Sequence, residues 1–503
     1  MRRLWWWRSL SFIDSMTDSL NDYDFHADAP TFYEVLQAAR DAGLVGEADT
    51  VLTVVLSMIR GHLVVMTGPA RAGKDQVVDA AESVFNTENM VYKWPVDDSE
   101  TAAYYKRNTI NQYPIHRFPD LARIEDHHEK ILKAFGEGRD AVRNRTDIAK
   151  ADGEAMGEAV EDQVLTCPHT VIAFIASDNE QIDLDQYPEL RNRALLLSVD
   201  ASEEQTRRVN RRKAEERAGM TSNNIDPIRR AQIQDYHESI PVDEWSSNPN
   251  NQIRNPMGVA IHQQQPIPEK FPEARQDFDR LLEFMETVTL YHYVNRLVVE
   301  RNGTKMMLVA PTDVWEAMTI LGNKMVMSAL NLQREDRAIL RLLENSSANL
   351  TKADIQQSLR SHGFNITDSD VARSLDSMRM KGYVRVHQGN PNTFSLNEFA
   401  QVTRHDAGLD YGGLVDTARE HIYDLLDDDK ADLYVDRFCE GNGLLTTHPI
   451  TGEAVDITQV DELENMMDDG IEDVAGVFDD AKDGMTSDDE DDNGPDQSQG
   501  TLL

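Results

Sequence analysis

Gly61-His-Leu-Val-Val-Met66-Thr-Gly68-Pro-Ala-Arg-Ala-Gly73-Lys74-Asp75 is the stretch whose reading decides the fold. Its first part, Gly61 to Met66, is a short β-branched apolar run, the pattern of a buried strand. Its second part has the spacing G-x-x-x-x-G-K, and Asp75 to Phe85 then follow with a helical pattern. A glycine-bearing loop between strand and helix has a physical use. Glycines let backbone N–H groups turn inward, the helix N-terminus adds partial positive charge, and a lysine reaches the terminal phosphates. Gly68, Pro69, Ala70, Arg71, Ala72, Gly73, Lys74, Asp75 and Gln76 are therefore expected to cradle the phosphates of ATP. Where Ser or Thr normally ligates magnesium, this chain has Asp75. Either its carboxylate coordinates Mg²⁺ directly, or its added negative charge lowers nucleotide affinity.

Working outward, Thr170-Val-Ile-Ala-Phe-Ile175 and Arg193-Ala-Leu-Leu-Leu-Ser-Val199 read as further strands. Helical patterns precede and separate them: 32–39, 48–60, 121–136 and 202–218. Strands alternating with helices predict an α/β fold with a parallel sheet. Arg207 to Arg217 is basic but interleaved with Glu203, Glu204, Glu215 and Glu216, the pattern of a solvated helix. Residues 137–163 are polar and read as loop; 219–272, rich in Asn, Pro and Gln, allow no assignment. Helices return at 273–300 and 311–330, followed by three short helices (336–345, 351–362, 368–381) and a hairpin (383–396). His116, His127 and His128 lack a convincing metal-ligand arrangement and read as solvated side chains.

The chain has 503 residues, enough for roughly three units, and a net charge of −39. Residues 401–503 hold 29 acidic and 5 basic residues, so more than half of that charge lies in the last fifth of the chain. This argues against a basic, DNA-coating protein. Lysine supplies only 14 of the 50 basic residues. Lysine-poor, Asp-rich usage suits a salt-loaded cytoplasm, where charge repulsion is screened. Cys167 and Cys439 form neither a CxxC nor a zinc spacing, and no apolar run is long enough for a membrane span. Met1-Arg-Arg-Leu-Trp-Trp-Trp-Arg8 loosely imitates a signal peptide, cut short by Arg8 and Asp14. It reads as a disordered extension, or as residues ahead of a true start at Met16.

In order and spacing, the segments from Gly61 to Asn331 resemble AAA+ ATPases, most of all the motor module of the minichromosome maintenance replicative helicases. The residues carrying the likeness are the phosphate loop, Phe118-Pro-Asp120-Leu-Ala-Arg-Ile124, Gly138-Arg-Asp-Ala-Val142, Ile175-Ala-Ser-Asp-Asn179 and Pro188-Glu-Leu-Arg-Asn-Arg193. Tyr291-His-Tyr-Val-Asn-Arg296 and Ala310-Pro-Thr-Asp313 extend it. The resemblance implies ATP with Mg²⁺ as cofactors and Lys74, Asp120, Asn179, Arg193 and Arg296 as catalytic residues. Asp120 would aim the attacking water or hold Mg²⁺, and Asn179 would be a polar sensor. Arg193 (or Arg191) would be a finger inserted into a neighbouring subunit, and Arg296 the lid arginine. The family has two adjacent acids where this chain has Pro119-Asp120; Glu125 or Asp126 could supply the missing one.

The implied domains are an extension (1–30), a helical lead-in (31–60), a nucleotide-binding core (61–218) and a helical lid with an irregular insert (219–331). A winged helix (334–400) and an acidic tail (401–503), largely disordered after about 461, would follow. The expected function is a ring-forming, helicase-like motor or loader acting on DNA in replication or maintenance, with no membrane partner. The alternative is a nucleotide-gated adaptor with little hydrolysis. The polyanionic tail is expected to compete with nucleic acid for the Arg207–Arg217 helix.

Overall fold

Thr31 opens the first helix. Its hydroxyl accepts from the Glu34 amide (3.2 Å) while the Glu34 carboxylate accepts from the Thr31 amide (2.9 Å), so two N-terminal donors are satisfied reciprocally. This helix, α1 (Phe32–Asp41), is followed by α2 (Ala48–Ile59), which is buried on nearly every side. The apolar run Val51–Ile59 is therefore a core helix. No helix among the described residues is long and apolar enough to cross a membrane. The computed structural model describes residues 29–460 apart from 62, 97–99, 122–125, 147–159, 177–192, 221–223, 247, 268–273, 323, 326–333, 347, 362–363, 365 and 398–408.

Strand β1 (Leu63–Gly68) leads into α3 (Lys74–Glu82). Then come β2 (Val91–Lys93), β3 (Ile115–Asp120), α4 (Asp126–Gly136), β4 (Ala141–Thr146), β5 (Val160–Leu165), β6 (Thr170–Ala176) and β7 (Ala194–Ser198). Five of these strands form one sheet in the order β2-β3-β6-β1-β7, with every pairing parallel. The fold is α/β. β1 has a strand on either side, and Leu63, Val64, Val65 and Met66 are all buried. Burial on both faces explains why it reads as one apolar run rather than an alternation. Because the strands are parallel, β1, β3 and β6 all end at one edge of the sheet, where ligands of open α/β folds gather.

Two elements differ from the sequence pattern. Phe118-Pro119-Asp120 ends strand β3, and the helix expected from Leu121 starts at Asp126. The polar region before Gln163 contains the antiparallel hairpin β4–β5, in register from Ala141↔Leu165 to Thr146↔Val160. His116 and His128 are also not solvated. Both are fully buried in an aromatic cluster with Trp94, and His116 also faces Phe135.

Beyond the sheet, α5 (Glu203–Arg217) is a solvated helix with i,i+4 pairs Glu204–Arg208 and Arg212–Glu216. The unassigned stretch contains α6 (Pro227–Ser239), capped by the Asp226 carboxylate and started by a proline in its first turn. It also contains β8 (Asn251–Arg254). Helix α7 (Ala274–Tyr291), the hairpin β9 (Val298–Arg301) and β10 (Thr304–Leu308), and α8 (Pro311–Ala317) follow, with a small sheet in the order β8-β10-β9. Their apolar faces join those of α1, α2 and one side of the main sheet in a single core.

His237 of α6 is held in that core, donating from Nδ1 to the Val84 carbonyl (2.8 Å) and packed on Phe85. Burial disfavours the charged ring and pushes both His237 and His116 down from 6.5 to about 4. Between those values the unfolded chain binds protons that the folded chain refuses. Stability is then complete above pH 6.5 and falls as pH drops toward 4, by about 2 kcal/mol per histidine at pH 5. The melting temperature should fall between pH 7 and pH 5, and less steeply in His237→Gln. Equal slopes in the two proteins would contradict the assignment.

Residues 334–396 carry a core of their own. It is built from α9 (Arg334–Asn345), β11 (Leu350–Thr351), α10 (Lys352–Ser361), α11 (Asp368–Met380), β12 (Val384–His387) and β13 (Thr393–Leu396), with strand order β11-β13-β12.

The acidic segment after residue 401 departs most from expectation. Residues 409–460 are folded onto the main core rather than forming a tail. Helix α12 (Tyr411–Leu425) buries Leu414, Val415, Ala418 and Ile422, and α13 (Asp428–Tyr434) places the Tyr434 hydroxyl on the Val309 carbonyl (2.7 Å). Arg301 of β9 donates to the Leu425 carbonyl (2.5 Å). Ile422→Ala is accordingly expected to cost about 2–4 kcal/mol, a core truncation, whereas a tail position would cost nothing measurable by denaturation. Residues 461–503, the stretch expected to be disordered, lie outside the described residues.

Candidate functional site

The loop after β1 is shaped by backbone geometry. Gly68 has φ +144°, and a Cβ there would come within 2.7 Å of the Val199 side chain. Arg71 (φ +67°) and Gly73 (φ +100°) both adopt left-handed conformations. Gly73 has open space around it, so its requirement is conformational rather than steric. It caps α3 without any side-chain acceptor for the first-turn amides. Those amides and the helix dipole form an anion-binding end.

Lys74 begins α3 and is 7% exposed. Its ammonium folds over the loop, donating to the Gly68 carbonyl (2.7 Å) and the Pro69 carbonyl (3.0 Å). Gln76 instead donates to the Gly43 carbonyl (2.8 Å), which ties α3 to the turn after α1.

Asp120 is the last residue of β3 and is half-buried. It pairs with Phe174 of β6, which pairs with Met66 of β1. Asp120 therefore stands at the same sheet edge as Gly68, with one strand between them. The β3–β6 register shifts between Arg117 and Asp120. The shift falls at Phe118-Pro119, and proline has no N–H to give the ladder. A bulge here re-aims the acid that follows. Asp126 opens α4, while Glu125 lies outside the described residues, as do Asn179 and Arg191. β6, which precedes Asn179, runs between β1 and β3 and reaches the edge at Ala176.

Arg193 sits at the opposite edge. It immediately precedes β7, whose Ala194 pairs with Leu63 at the start of β1. Five residues of strand separate that level from Gly68, or about 17 Å at 3.3 Å per residue. Arg193 is exposed and pairs with Glu137 (2.9 Å), so it does not reach its own phosphate loop.

Arg296 requires a correction. It is not on a helical face but follows a short 3-10 turn, Tyr293–Asn295, in extended backbone. Its guanidinium is buried and bound by both oxygens of Asp313 (Nε at 3.0 and 2.9 Å), with the Phe438 ring 5.7 Å away. Burial opposes its charge, but the attraction of Asp313 outweighs it and raises the pKa above the usual arginine value. Asp313 also accepts from Thr289 (2.8 Å) and the Ala310 amide (2.9 Å). A guanidinium committed in this way braces the core.

The other departure is at Asp75. Its carboxylate accepts from Arg117 of β3 at 2.8 Å. The sequence reading missed Arg117, because nothing in a linear pattern links a strand arginine to the helix after a different strand.

No protein-family profile matches the chain, and no curated protein does. Among solved structures, it is similar to a candidate ATPase from Cytophaga hutchinsonii, at 12% identity and a TM-score of 0.32, covering 67% of this chain and 96% of that one. It is also similar to Cdc6p from Pyrobaculum aerophilum, at 14% identity and a TM-score of 0.21, covering 73% of this chain and 93% of that one. Both overlaps are weak, and what the site can do follows from its own residues. The loop's inward backbone, the uncapped helix end and a lysine beside it fit a polyphosphate. Asp120, a hard oxygen donor at the same edge, fits a magnesium ion. Asp75, the other carboxylate expected at the metal, accepts from Arg117.

Proposed function

We propose that this chain binds ATP with Mg²⁺ and hydrolyses it as an AAA+ ATPase, working on DNA as a helicase-like motor or loader. One observation carries the reading: a single edge of a parallel sheet gathers the Gly68–Lys74 loop and Asp120, with only β6 between them. The loop amides and Lys74 would hold the β- and γ-phosphates. Asp120 would orient the attacking water or anchor the metal, and Asn179, which follows β6, would contact the same phosphate. Magnesium, when bound, would supply positive charge against the charge developing on the phosphates. Arg193, exposed and remote from its own loop, suits a finger that completes a neighbouring subunit's site in a ring.

Residues 334–396, with three helices and a hairpin on one core, would serve as a winged helix. The leading acids of α11 are partly compensated, since Asp368 pairs with Lys352 (2.7 Å) and Asp370 caps Thr367. DNA contact there would run through Arg373 and Arg385. The Asp-rich composition suits a salt-loaded cytoplasm. A second reading, a nucleotide-gated adaptor with slow hydrolysis, is favoured by Pro119 standing where the family has an acid.

ATP turnover and nucleotide-induced assembly, measured at low and high salt with and without DNA, decide between them. Turnover that Lys74→Ala removes supports the motor; nucleotide binding without turnover selects the adaptor. No turnover and no assembly at any salt would overturn the motor reading.

A further inference from the structure

Asp75, Asp79 and Glu82 recur at i, i+4 and i+7 on α3, which sets three carboxylates in one row along the helix. Arg117 of β3 meets that row from the sheet. Its guanidinium passes over the Phe174 ring of β6, 5.0 Å from the centroid. Nη2 donates to Asp75 Oδ1 at 2.8 Å, and Nη1 donates to Asp79 Oδ1 at 2.5 Å and Glu82 Oε1 at 3.1 Å. Lys93 of β2 covers the far end of the row, 2.6 Å from Glu82. The Arg117 side chain is only 12% exposed, and that of Glu82 only 3%. A planar guanidinium can donate in two directions at once from a fixed plane, which an ammonium cannot. The strand that ends in Asp120 is thereby bolted to the helix that begins with Lys74.

Resting on the nucleotide reading above, we propose that Arg117 is a positioning residue for the metal step. It holds Asp75 as a compensated anion, so Asp75 does not ligate Mg²⁺, and nucleotide binds nearly as well without the metal as with it. The reason is electrostatic. An unpaired carboxylate in the first turn of α3 would repel the triphosphate and would be drawn onto any cation that arrived with it. Paired with Arg117, it does neither. Asp120 is then left to orient the attacking water, a role that does not tie nucleotide affinity to the metal.

A fluorescent ATP analogue titrated into the full-length chain, once in excess EDTA and once in Mg²⁺, tests this. The wild-type affinities should agree within about threefold. Arg117→Met should lose about tenfold in EDTA and regain it in Mg²⁺, because the freed carboxylate first repels and then ligates. The double variant Arg117→Met/Asp75→Asn should return to the wild-type ratio, which a merely structural role for Arg117 would not produce. Asp75→Ser, at a position 77% exposed and so tolerant of change, should raise the Mg²⁺/EDTA ratio to about tenfold by supplying a neutral ligand. The proposal is overturned if the wild type already gains about tenfold from Mg²⁺ and Asp75→Asn removes that gain, since Asp75 would then be a ligand. It is equally overturned if Arg117→Met folds and its ratio is unchanged. Absence of binding in both buffers would instead overturn the nucleotide reading itself.

Discussion

Lys74→Ala is expected to weaken ATP binding by about a hundredfold or more while leaving the melting temperature within a few degrees of wild type. The loss follows from charge-assisted hydrogen bonding in a site shielded from water, where truncating one partner costs about 2–5 kcal/mol. Lys74 is buried, begins the helix whose end would face the phosphates, and rests on the Gly68 and Pro69 carbonyls. From there its ammonium needs only a side-chain rotation to exchange carbonyl oxygens for phosphate oxygens. The fold should survive because α3 is anchored by Val77, Val78, Ala80 and Ala81, all buried, rather than by its first residue. Affinity measured by fluorescence titration, with melting temperature alongside, separates the two effects. An unchanged affinity would mean that the loop is structural.

Asp313→Ala is expected to be among the most destabilising single substitutions, at about 3–5 kcal/mol, because it strands a buried guanidinium. Asp313 is fully buried and satisfies Arg296, Thr289 and the Ala310 amide together. Its neighbour Glu316 accepts from His292 (2.7 Å), so the polar cluster has no slack with which to absorb the loss. Chemical denaturation measures the cost. In the folded fraction, nucleotide affinity should be unchanged, since Arg296 braces the core rather than reaching for phosphate. A variant of normal stability that binds ATP poorly would restore the lid role expected from the resemblance.

What the sequence made legible was local. Gly68 and Gly73 announce their loop because special backbone geometry demands special residues, and the flanking apolar run and helical pattern confirm it within a few positions. Asp120 could be picked out only through a resemblance. Its place at the edge depends on β6 lying between β1 and β3, a long-range pairing that leaves no mark at residues 115–120. Arg117 and the buried His116 were hidden for the same reason. Their partners come from other strands and helices, and a charged or polar residue on a strand looks solvated until the facing layer is known.

The acidic segment was misread for a different reason. Leu414, Val415, Ala418 and Ile422 carry a helical stripe, but the surrounding aspartates dominate any average of charge and hydropathy. Arg296 was read through a family position alone, and its pairing with Asp313, which comes from a separate segment, left no mark in the sequence around it.

Calorimetric titration of the full-length chain with ATP, ADP and AMP asks whether the Gly68–Lys74 loop recognises a polyphosphate. Saturable binding of ATP and ADP at one site per chain is expected, with mutual competition between them and AMP weaker by at least about tenfold, because the loop amides and Lys74 would hold the β-phosphate. Saturable binding in which AMP matches ATP, or no binding of any of the three, would contradict it.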